Sequence, residues 1–529
     1  MRTEAHDGRN GANVFWSGFE AAISAVLSFA SAFVVARLVG PAEVGVGAAV
    51  VAVHVLLWVS VNALFADALV QRSAIDDVTV SSALVASLAI GCAAAVLQAA
   101  LGRPLAWALG DSRLTTMSMV LALPLPLVSA AGPVQGLLTR NRDYRTLAWR
   151  TVAGQGLGTL AGIASALAGA GAWALVAQQL LISGGGALAL LLRCPVRPRL
   201  AVNTQRLRAL LRIGLPLTAS VLVQQARYRL FALLIGGTAG AAALGQVHMA
   251  FRLVDGVREL VSTAQWRLML PLLSERQDDL PALRSGVDRC LAWSSLLVFP
   301  LCAAMAVAIQ PLVATLLGPV WQPSGRAALP LIGLMAWLFL AFPAGVAVVA
   351  RGAPRYTLIA NLAGTMTTML GVLLIRPVTP LQAVLVWLGA QAIVSPYLLL
   401  AGARVLHTAP LRPLRAGVPL LAAALLATAV AFAVPHAIGE PASQTWLLVV
   451  RLLVVAAVGI PLAMLTAGPV WTGDAQRWQN CGSEDRTRLE CRPMTMAASA
   501  AARSARAIRS LSSTCRSHAR LAAIRRRAP

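Results

Sequence analysis

Long apolar runs follow one another along almost the whole of this 529-residue chain, and they restrict its fold more than any other feature. A helix that crosses a bilayer needs about 20 mostly apolar residues, because the hydrocarbon core is about 30 Å thick. Only 12% of the residues are charged, against about 25% in soluble proteins. Runs of sufficient length lie at 14–39, 43–65, 78–101, 116–138, 148–169, 172–192, 213–236, 240–269, 290–317, 326–350, 356–375, 380–402, 416–435 and 444–468. The sequence therefore predicts an all-α, polytopic integral membrane protein with about fourteen transmembrane helices.

Arginine supplies all 44 basic residues and gives the chain a net charge of +24. Such an excess can indicate a nucleic-acid partner, but here the arginines are concentrated in the short loops between apolar runs. If the N-terminus is cytoplasmic, the inside loops hold 20 arginines, the outside loops hold four, and 12 follow in the C-terminal tail. By the positive-inside rule we expect a multi-pass protein of the bacterial inner (plasma) membrane with both termini in the cytoplasm, and no nucleic-acid binding.

The chain contains two halves that resemble each other. Residues 40–45 read Gly-Pro-Ala-Glu-Val-Gly after the first predicted helix, and residues 240–245 read Gly-Ala-Ala-Ala-Leu-Gly after the seventh. Two further weak matches occur in topologically equivalent loops. Each half contains six helices. Because six is an even number, both halves would insert the same way round, as a parallel repeat about an axis along the membrane normal.

These features predict six segments. They are a cytoplasmic N-terminus (1–13), an N-terminal lobe of six helices (14–192), a cytoplasmic linker (193–212), a C-terminal lobe of six helices (213–402), two added helices (416–468) and a basic, disordered cytoplasmic tail (470–529). The first apolar run is too long for the apolar part of a cleavable signal peptide, so we expect it to remain as the first span.

Ionisable residues inside the predicted spans are the candidate functional residues, because each one is costly to place in the bilayer. They are concentrated in the first two helices of each half. A cavity between the halves would bring these helices together. The candidates for binding an anion are Arg227, Arg252, Asp255, Gln224, Gln225 and Arg258. Interhelical hydrogen bonds and ion pairs without a functional role are the alternative explanation.

Two acidic residues are candidates for coupling transport to a proton or ion gradient: Glu20 in the first helix and Asp67 at the end of the second. The seven cysteines show no metal-ligand spacing, and the phosphate-binding glycine loop of ATPases is missing. We therefore expect no metal, no cofactor and no catalytic residue, and transport that does not depend on ATP hydrolysis within this chain.

Three segments resemble polysaccharide repeat-unit flippases of the multidrug/oligosaccharidyl-lipid/polysaccharide exporter superfamily: Ala36–Gly45, Leu234–Gly245 and Arg267–Arg276 with its Leu-Pro-Leu sequence. The resemblance covers roughly residues 13 to 410. It implies two six-helix lobes around a V-shaped cavity, often with two added helices, alternating access and an undecaprenyl-pyrophosphate-linked oligosaccharide as cargo. Members usually have an acidic residue in the middle of helix seven, where this chain has Gln225 and Arg227.

The favoured hypothesis is therefore a flippase for a lipid-linked oligosaccharide repeat unit in exopolysaccharide or O-antigen biosynthesis, with a polysaccharide polymerase and chain-length or export proteins as partners. A multidrug or cation antiporter of the same superfamily is an alternative, although it would need an excess of acidic residues in the cavity. A lipid II flippase shares the fold and chemistry. A membrane enzyme would need a larger outside loop than this chain offers.

Overall fold

The computed structural model describes residues 2–72, 75–193, 203–353, 355–409, 412–438 and 444–459. The helices in these ranges are α1 (Arg2–Val39), α2 (Pro41–Gln71), α3 (Asp77–Leu109), α4 (Arg113–Ala122), α5 (Leu125–Arg140), α6 (Tyr144–Leu167), α7 (Trp173–Leu191), α8 (Thr204–Ser274), α9 (Leu280–Leu316), α10 (Gln322–Ala350), α11 (Arg355–Ile375), α12 (Pro380–Leu406), α13 (Arg412–Ile438) and α14 (Gln444–Val454). A short 3₁₀ helix, Pro319–Trp321, precedes α10, and a π-helical turn, Val455–Gly459, follows α14.

The described residues form helices and no strands, which confirms the predicted all-α fold. Ten helical segments among them are long and apolar enough to cross a membrane, and two shorter apolar helices lie at Gly417–Ala433 and Val449–Gly459. The number fourteen stays a prediction. The basic tail from residue 470 lies outside the described residues, as does the end of the last predicted span.

α8 is continuous over 71 residues, yet it corresponds to two predicted spans. A straight helix of that length would extend for about 105 Å, more than three times the thickness of the hydrocarbon core. Gly240 divides it, with φ 85° and ψ 170°, a conformation that a residue with a Cβ rarely adopts. Gly40, between α1 and α2, has nearly the same values, φ 85° and ψ 165°. Each pair of helices is thus joined by a single glycine.

Other boundaries differ from the predicted ones. The run 116–138 is divided into α4 and α5 at Pro124, which has no amide hydrogen to donate within a helix. The predicted linker 193–212 is helical from Thr204, because the Asn203 side chain accepts hydrogen bonds from the amides of Gln205 and Arg206 and caps α8. α1 begins at Arg2, well before the predicted run.

α2 is the central helix of the bundle, and it contacts both halves of α8 (204–239 and 241–274). A Cβ on Gly45 would lie 1.8 Å from the carbonyl oxygen of Ala241, and a Cβ on Gly245 would lie 1.9 Å from that of Pro41. Further along, a Cβ on Gly214 would lie 1.9 Å from the carbonyl oxygen of Leu64. Glycine lets helix backbones approach this closely, and the van der Waals packing that results contributes to helix association in lipid.

The helices belong to one unit, Met1–Ala467. In its N-terminal half, α1 packs on α6, α6 on α7, and α2 and α3 on α5; in its C-terminal half, α10 packs on α8, α9 and α12, and α11 on α12. This grouping is compatible with two lobes, whose bounds remain a prediction. Cys92, Cys290 and Cys302 are free thiols.

Candidate functional site

The loops on one side of the bundle meet around Gly40, and this side is called the Gly40 end. Arg113 at the start of α4 donates hydrogen bonds of 3.0 and 2.8 Å to the two carboxylate oxygens of Glu43, and it also bonds to Asp111. The Glu43 carboxylate accepts a further bond from the amide of Ala172, at 2.8 Å. Because the Arg113 guanidinium donates to Asp111, it holds the pKa of the Asp111 carboxyl group below its ordinary value.

Three hydrogen bonds from two side chains join the N-terminal and C-terminal halves at the Gly40 end. The guanidinium of Arg37, in the last turn of α1, donates to the carbonyl oxygens of Thr315 and Leu316 at 3.0 and 2.9 Å. These carbonyls end α9 and have no partner within that helix. The indole of Trp321 donates in the opposite direction, to the carbonyl of Ala36 at 3.2 Å. The Gly40 end is therefore closed by contacts between the two halves.

Arg227, a predicted anion-binding residue, lies inside the C-terminal half. Its guanidinium carbon is 4.7 Å from the centre of the Trp387 ring in α12, close enough for a cation–π interaction. A Cβ added to Gly364 in α11 would lie 3.1 Å from the same carbon, so the guanidinium rests directly on that glycine. Within the described part of the chain, its Nε and Nη2 atoms are buried without a hydrogen-bond partner, as is Nε of Arg229.

The Trp387 ring that contacts Arg227 belongs to an aromatic cluster. The Trp387 ring packs against Tyr228, Phe231 and Phe251 with ring centres 5.0–6.4 Å apart. The Tyr228 hydroxyl lies 3.2 Å from Nδ1 of His248. These aromatic contacts connect both halves of α8 with α12, and they fix the orientation of the ring on which the guanidinium lies.

Arg252 lies on the second half of α8 and contacts α1. It donates to the carbonyl oxygen of Ser28 at 2.9 Å and to the Ser28 hydroxyl. The neighbouring Phe29 ring occupies the space that a side chain at Gly256 would need. α1 and the second half of α8 therefore meet at Ser28 and Arg252. Both acceptors are neutral, so the charge of Arg252 is solvated by dipoles and not by a carboxylate.

Asp255 pairs with Arg258 and not with Arg227 or Arg252. Its carboxylate accepts a 2.8 Å bond from Nε of Arg258, three residues along the same helix. Arg252 and Arg258 each lie three residues from Asp255 in the sequence. The structure selects Arg258, because the other one bonds to Ser28 on α1.

The remaining predicted residues lie in three different surroundings. Gln224 and Gln225 are exposed on the first half of α8, and Asp67 is exposed near the end of α2. Glu20 is half-buried, and its carboxylate accepts a 2.6 Å bond from the Thr151 hydroxyl on α6. Glu20 thus belongs to a contact inside the N-terminal half and lies apart from the arginines of α8.

Four arginines of α8 form two pairs of like charges. Arg227 and Arg258 repel each other, and so do Arg252 and Arg229. Of these four, only Arg258 forms an ion pair within the described residues. A group of this kind favours an anionic ligand, because guanidinium groups in a region of low dielectric constant attract phosphate strongly. The same residues contain no group of acidic, histidine and cysteine side chains that could hold a metal ion.

Two residues that contact Arg227 were missed in the sequence. Trp387 and Gly364 lie more than 130 residues from Arg227, in spans that carry no charge of their own. No sequence signal distinguishes these two residues, since an isolated tryptophan or glycine in an apolar helix is common.

Comparisons with known proteins agree with this fold. A family profile described as "polysaccharide biosynthesis protein" matches residues 34–326, which is more than half of the chain. The chain belongs to this family. The resemblance to polysaccharide transporters noted in the sequence is thereby confirmed.

A characterised relative and two solved structures extend the comparison. The succinoglycan biosynthesis transport protein ExoT of Rhizobium meliloti (strain 1021) is 24% identical over 324 residues, or 61% of this chain. The match spans 65% of that relative, slightly less than two thirds of its length. The lipid II flippase MurJ, in an inward closed conformation, has a TM-score of 0.71 at 10% identity, covering 87% of this chain and 99% of its own.

An inward-facing multidrug resistance MATE family transporter of the MOP superfamily has a TM-score of 0.53 at 15% identity, covering 72% of this chain and 98% of its own. At such low identities these two likenesses concern the fold alone. The polysaccharide biosynthesis protein described here is thus a multi-pass membrane protein with the fold of MOP-superfamily transporters.

Proposed function

We propose that this protein flips an undecaprenyl-pyrophosphate-linked oligosaccharide repeat unit across the bacterial inner membrane, for exopolysaccharide or O-antigen biosynthesis. Family membership supports a role in polysaccharide biosynthesis, and the similarity to a succinoglycan transport protein supports transport as that role. A polymerase and chain-length or export proteins would act on the cargo after it is flipped.

One observation carries the proposal: Arg227, Arg229 and Arg252 have no carboxylate partner among the described residues. Burying an unpaired charge is costly, so such groups need a compensating ligand or a functional reason. A pyrophosphate would supply that compensation, since each guanidinium donates two parallel hydrogen bonds to phosphate oxygens. The exposed amides of Gln224 and Gln225 on the same helix would bind sugar hydroxyls.

Alternating access requires the contacts between the halves to open at one end at a time. With both termini in the cytoplasm, the Gly40 end would face outward, and its hydrogen bonds through Arg37 and Trp321 would close the outer side in this conformation. The crossing of Gly214 with Leu64 would then lie toward the cytoplasm. Glu20, which bonds to Thr151, and Asp67 are the proposed coupling residues; protonation of Glu20 would weaken its contact with α6.

Two alternatives belong to the same superfamily. A multidrug or cation antiporter would need carboxylates in excess, whereas Asp255 is already paired with Arg258 and the other arginines nearby are unpaired. A lipid II flippase also carries a pyrophosphate-linked cargo, and the two would share the chemistry of these arginines. The identity of the sugar distinguishes them.

The experiment is deletion of the gene followed by analysis of surface polysaccharide and of lipid-linked intermediates. We expect loss of polymer and accumulation of repeat units on the inner face of the membrane. Unchanged polymer without accumulation would exclude the proposal. Peptidoglycan precursors accumulating in place of repeat units would favour the lipid II flippase.

Complementation with point variants tests the site itself. Arg252→Gln removes a charge-assisted contact of about 1.5–3 kcal/mol, so we expect cargo affinity to fall about 10- to 150-fold. Arg267→Gln is the matched control, because Arg267 lies exposed on the same half of α8. Equal export by both variants, at equal amounts of inserted protein, would reject the role of Arg252.

A further inference from the structure

A second cationic site lies on the N-terminal half, away from the arginines of α8. A cavity of about 480 Å³ is lined by Asp143, Arg145, Thr146, Trp149 and Arg193. The first turns of α6 form one wall, and Arg193, two residues after the end of α7, lies on the other side. The volume is within the range of small-ligand sites, which is about 300–1,000 Å³.

The charge of this cavity is positive, because its lining contains two arginines and one carboxylate, and that carboxylate already accepts hydrogen bonds from its own helix. Asp143 caps α6: its Oδ1 accepts a 3.1 Å bond from the Thr146 amide and its Oδ2 a 2.7 Å bond from the Thr146 hydroxyl. Arg145 and Arg193 are exposed, and neither forms an ion pair with any described carboxylate. Their guanidinium groups remain available to an incoming anion.

Tryptophan rings stand beside these charges. The Arg145 guanidinium lies 5.7 Å from the centre of the Trp16 ring, and the Trp16 and Trp149 rings are 6.5 Å apart. Trp149 is half exposed, with 50% of its surface accessible. Tryptophan prefers the level of the lipid headgroups, where its ring contacts apolar chains and its N–H faces water. The cavity therefore combines a wall suited to lipid with donors suited to phosphate.

We propose that this cavity binds the phosphate-bearing headgroup of a membrane lipid, with Arg145 and Arg193 as the donors and Trp149 against the adjoining apolar part. Guanidinium groups suit this ligand, since their planar donors match phosphate oxygens in pairs. Two sources share this chemistry, an anionic phospholipid and an isoprenoid pyrophosphate. The site is separate from the arginines of α8 that are proposed to bind the transported pyrophosphate, and binding to it does not require that function.

The test is lipid binding to the purified full chain, measured by native mass spectrometry. Phosphatidylglycerol and undecaprenyl pyrophosphate are the two probes, and diacylglycerol, which has no phosphate, is the reference lipid. The variant is Arg145→Gln with Arg193→Gln. The control, Arg208→Gln with Arg212→Gln, removes the same charge from two exposed positions on α8 that do not line the cavity.

We expect at least one phosphate lipid to bind about tenfold more tightly than diacylglycerol, and this preference to be lost in the Arg145/Arg193 variant alone. A preference for phosphatidylglycerol would identify a resident phospholipid; a preference for the pyrophosphate would identify the transported lipid. Arg145→Lys with Arg193→Lys should restore part of the affinity, and it serves if the glutamine variant does not fold. Equal binding of diacylglycerol, or equal losses in the variant and the control, would overturn the proposal.

Discussion

Replacement of Gly45 by alanine should open the Gly40 end of the protein. The added Cβ would lie 1.8 Å from the carbonyl oxygen of Ala241, whereas an ordinary contact is 3.4 Å or more. The overlap is with backbone and cannot be relieved by a side-chain rotation, so α2 and the second half of α8 must separate. Overpacking of this kind costs about 1–3 kcal/mol, which shifts an equilibrium between closed and open conformations about 5- to 150-fold.

The assay is double electron–electron resonance between spin labels at Ser112 and Val320, in a chain whose native cysteines are replaced by serine. Both positions are exposed at the Gly40 end and belong to different halves. Ser112 makes no capping hydrogen bond that a label would break. We expect a larger population of long distances in the Gly45→Ala variant than in the unsubstituted chain.

The matched control is Gly156→Ala, because a Cβ on that helical glycine of α6 would meet nothing within 4 Å. Its distance distribution should equal that of the unsubstituted chain. If Gly45→Ala inserts and folds normally but leaves the distribution unchanged, then the close crossing does not hold the Gly40 end closed, and the reasoning is wrong.

Three further predictions concern single side chains. Arg37→Gln should also increase the population of long label distances, with a shift of the closed–open equilibrium by about 1 kcal/mol. The shift is small because the hydrogen bonds of an exposed guanidinium stabilise less than those of a buried one; an unchanged distribution would contradict this. Trp387→Ala should lower both thermal stability and export, while Trp387→Phe, which keeps a ring face under the guanidinium, should retain most of both; equal losses would refute the cation–π role. Asp111 stabilises the folded state above the unfolded pKa of about 3.9, and this stabilisation is lost as the pH falls through its lowered folded pKa. The difference in unfolding temperature between the unsubstituted chain and Asp111→Asn should therefore shrink as the pH falls below about 4, and a constant difference would count against the ion pair with Arg113.

The fold was largely predictable because length and apolarity decide where a helix can span a membrane. The beginning of α8 shows where that criterion fails. Residues 204–212 contain three arginines, which lower the mean hydropathy and made the segment look like a linker. Leu207, Leu210 and Leu211 nevertheless pack against α2 and α3 around Leu64 and Phe65. Helical periodicity of the leucines was the informative signal there.

The candidate site was predictable in part. Arg227 and Arg252 stood out because a charge inside an apolar helix is rare. Their surroundings depend on tertiary packing. The Trp387 ring under Arg227 belongs to α12, and the distance between α8 and α12 cannot be read from the sequence. Asp255 had two possible partners on its own helix, and the contact of Arg252 with α1 decided between them.

The crossing at the Gly40 end has a consequence for how substitutions combine. Gly45 matches Gly245 in the two similar segments 40–45 and 240–245, and Pro41 matches Ala241. Gly45 faces the carbonyl of Ala241 and Gly245 faces that of Pro41, so the same contact occurs twice with the two segments exchanged. Contacts of this reciprocal form normally join identical subunits of a symmetric dimer, and here they occur within one chain. Both glycines set the same separation between two backbones, so the first Cβ already creates the space that the second one needs. Alanine at both positions should therefore destabilise the crossing by less than the sum of the single substitutions.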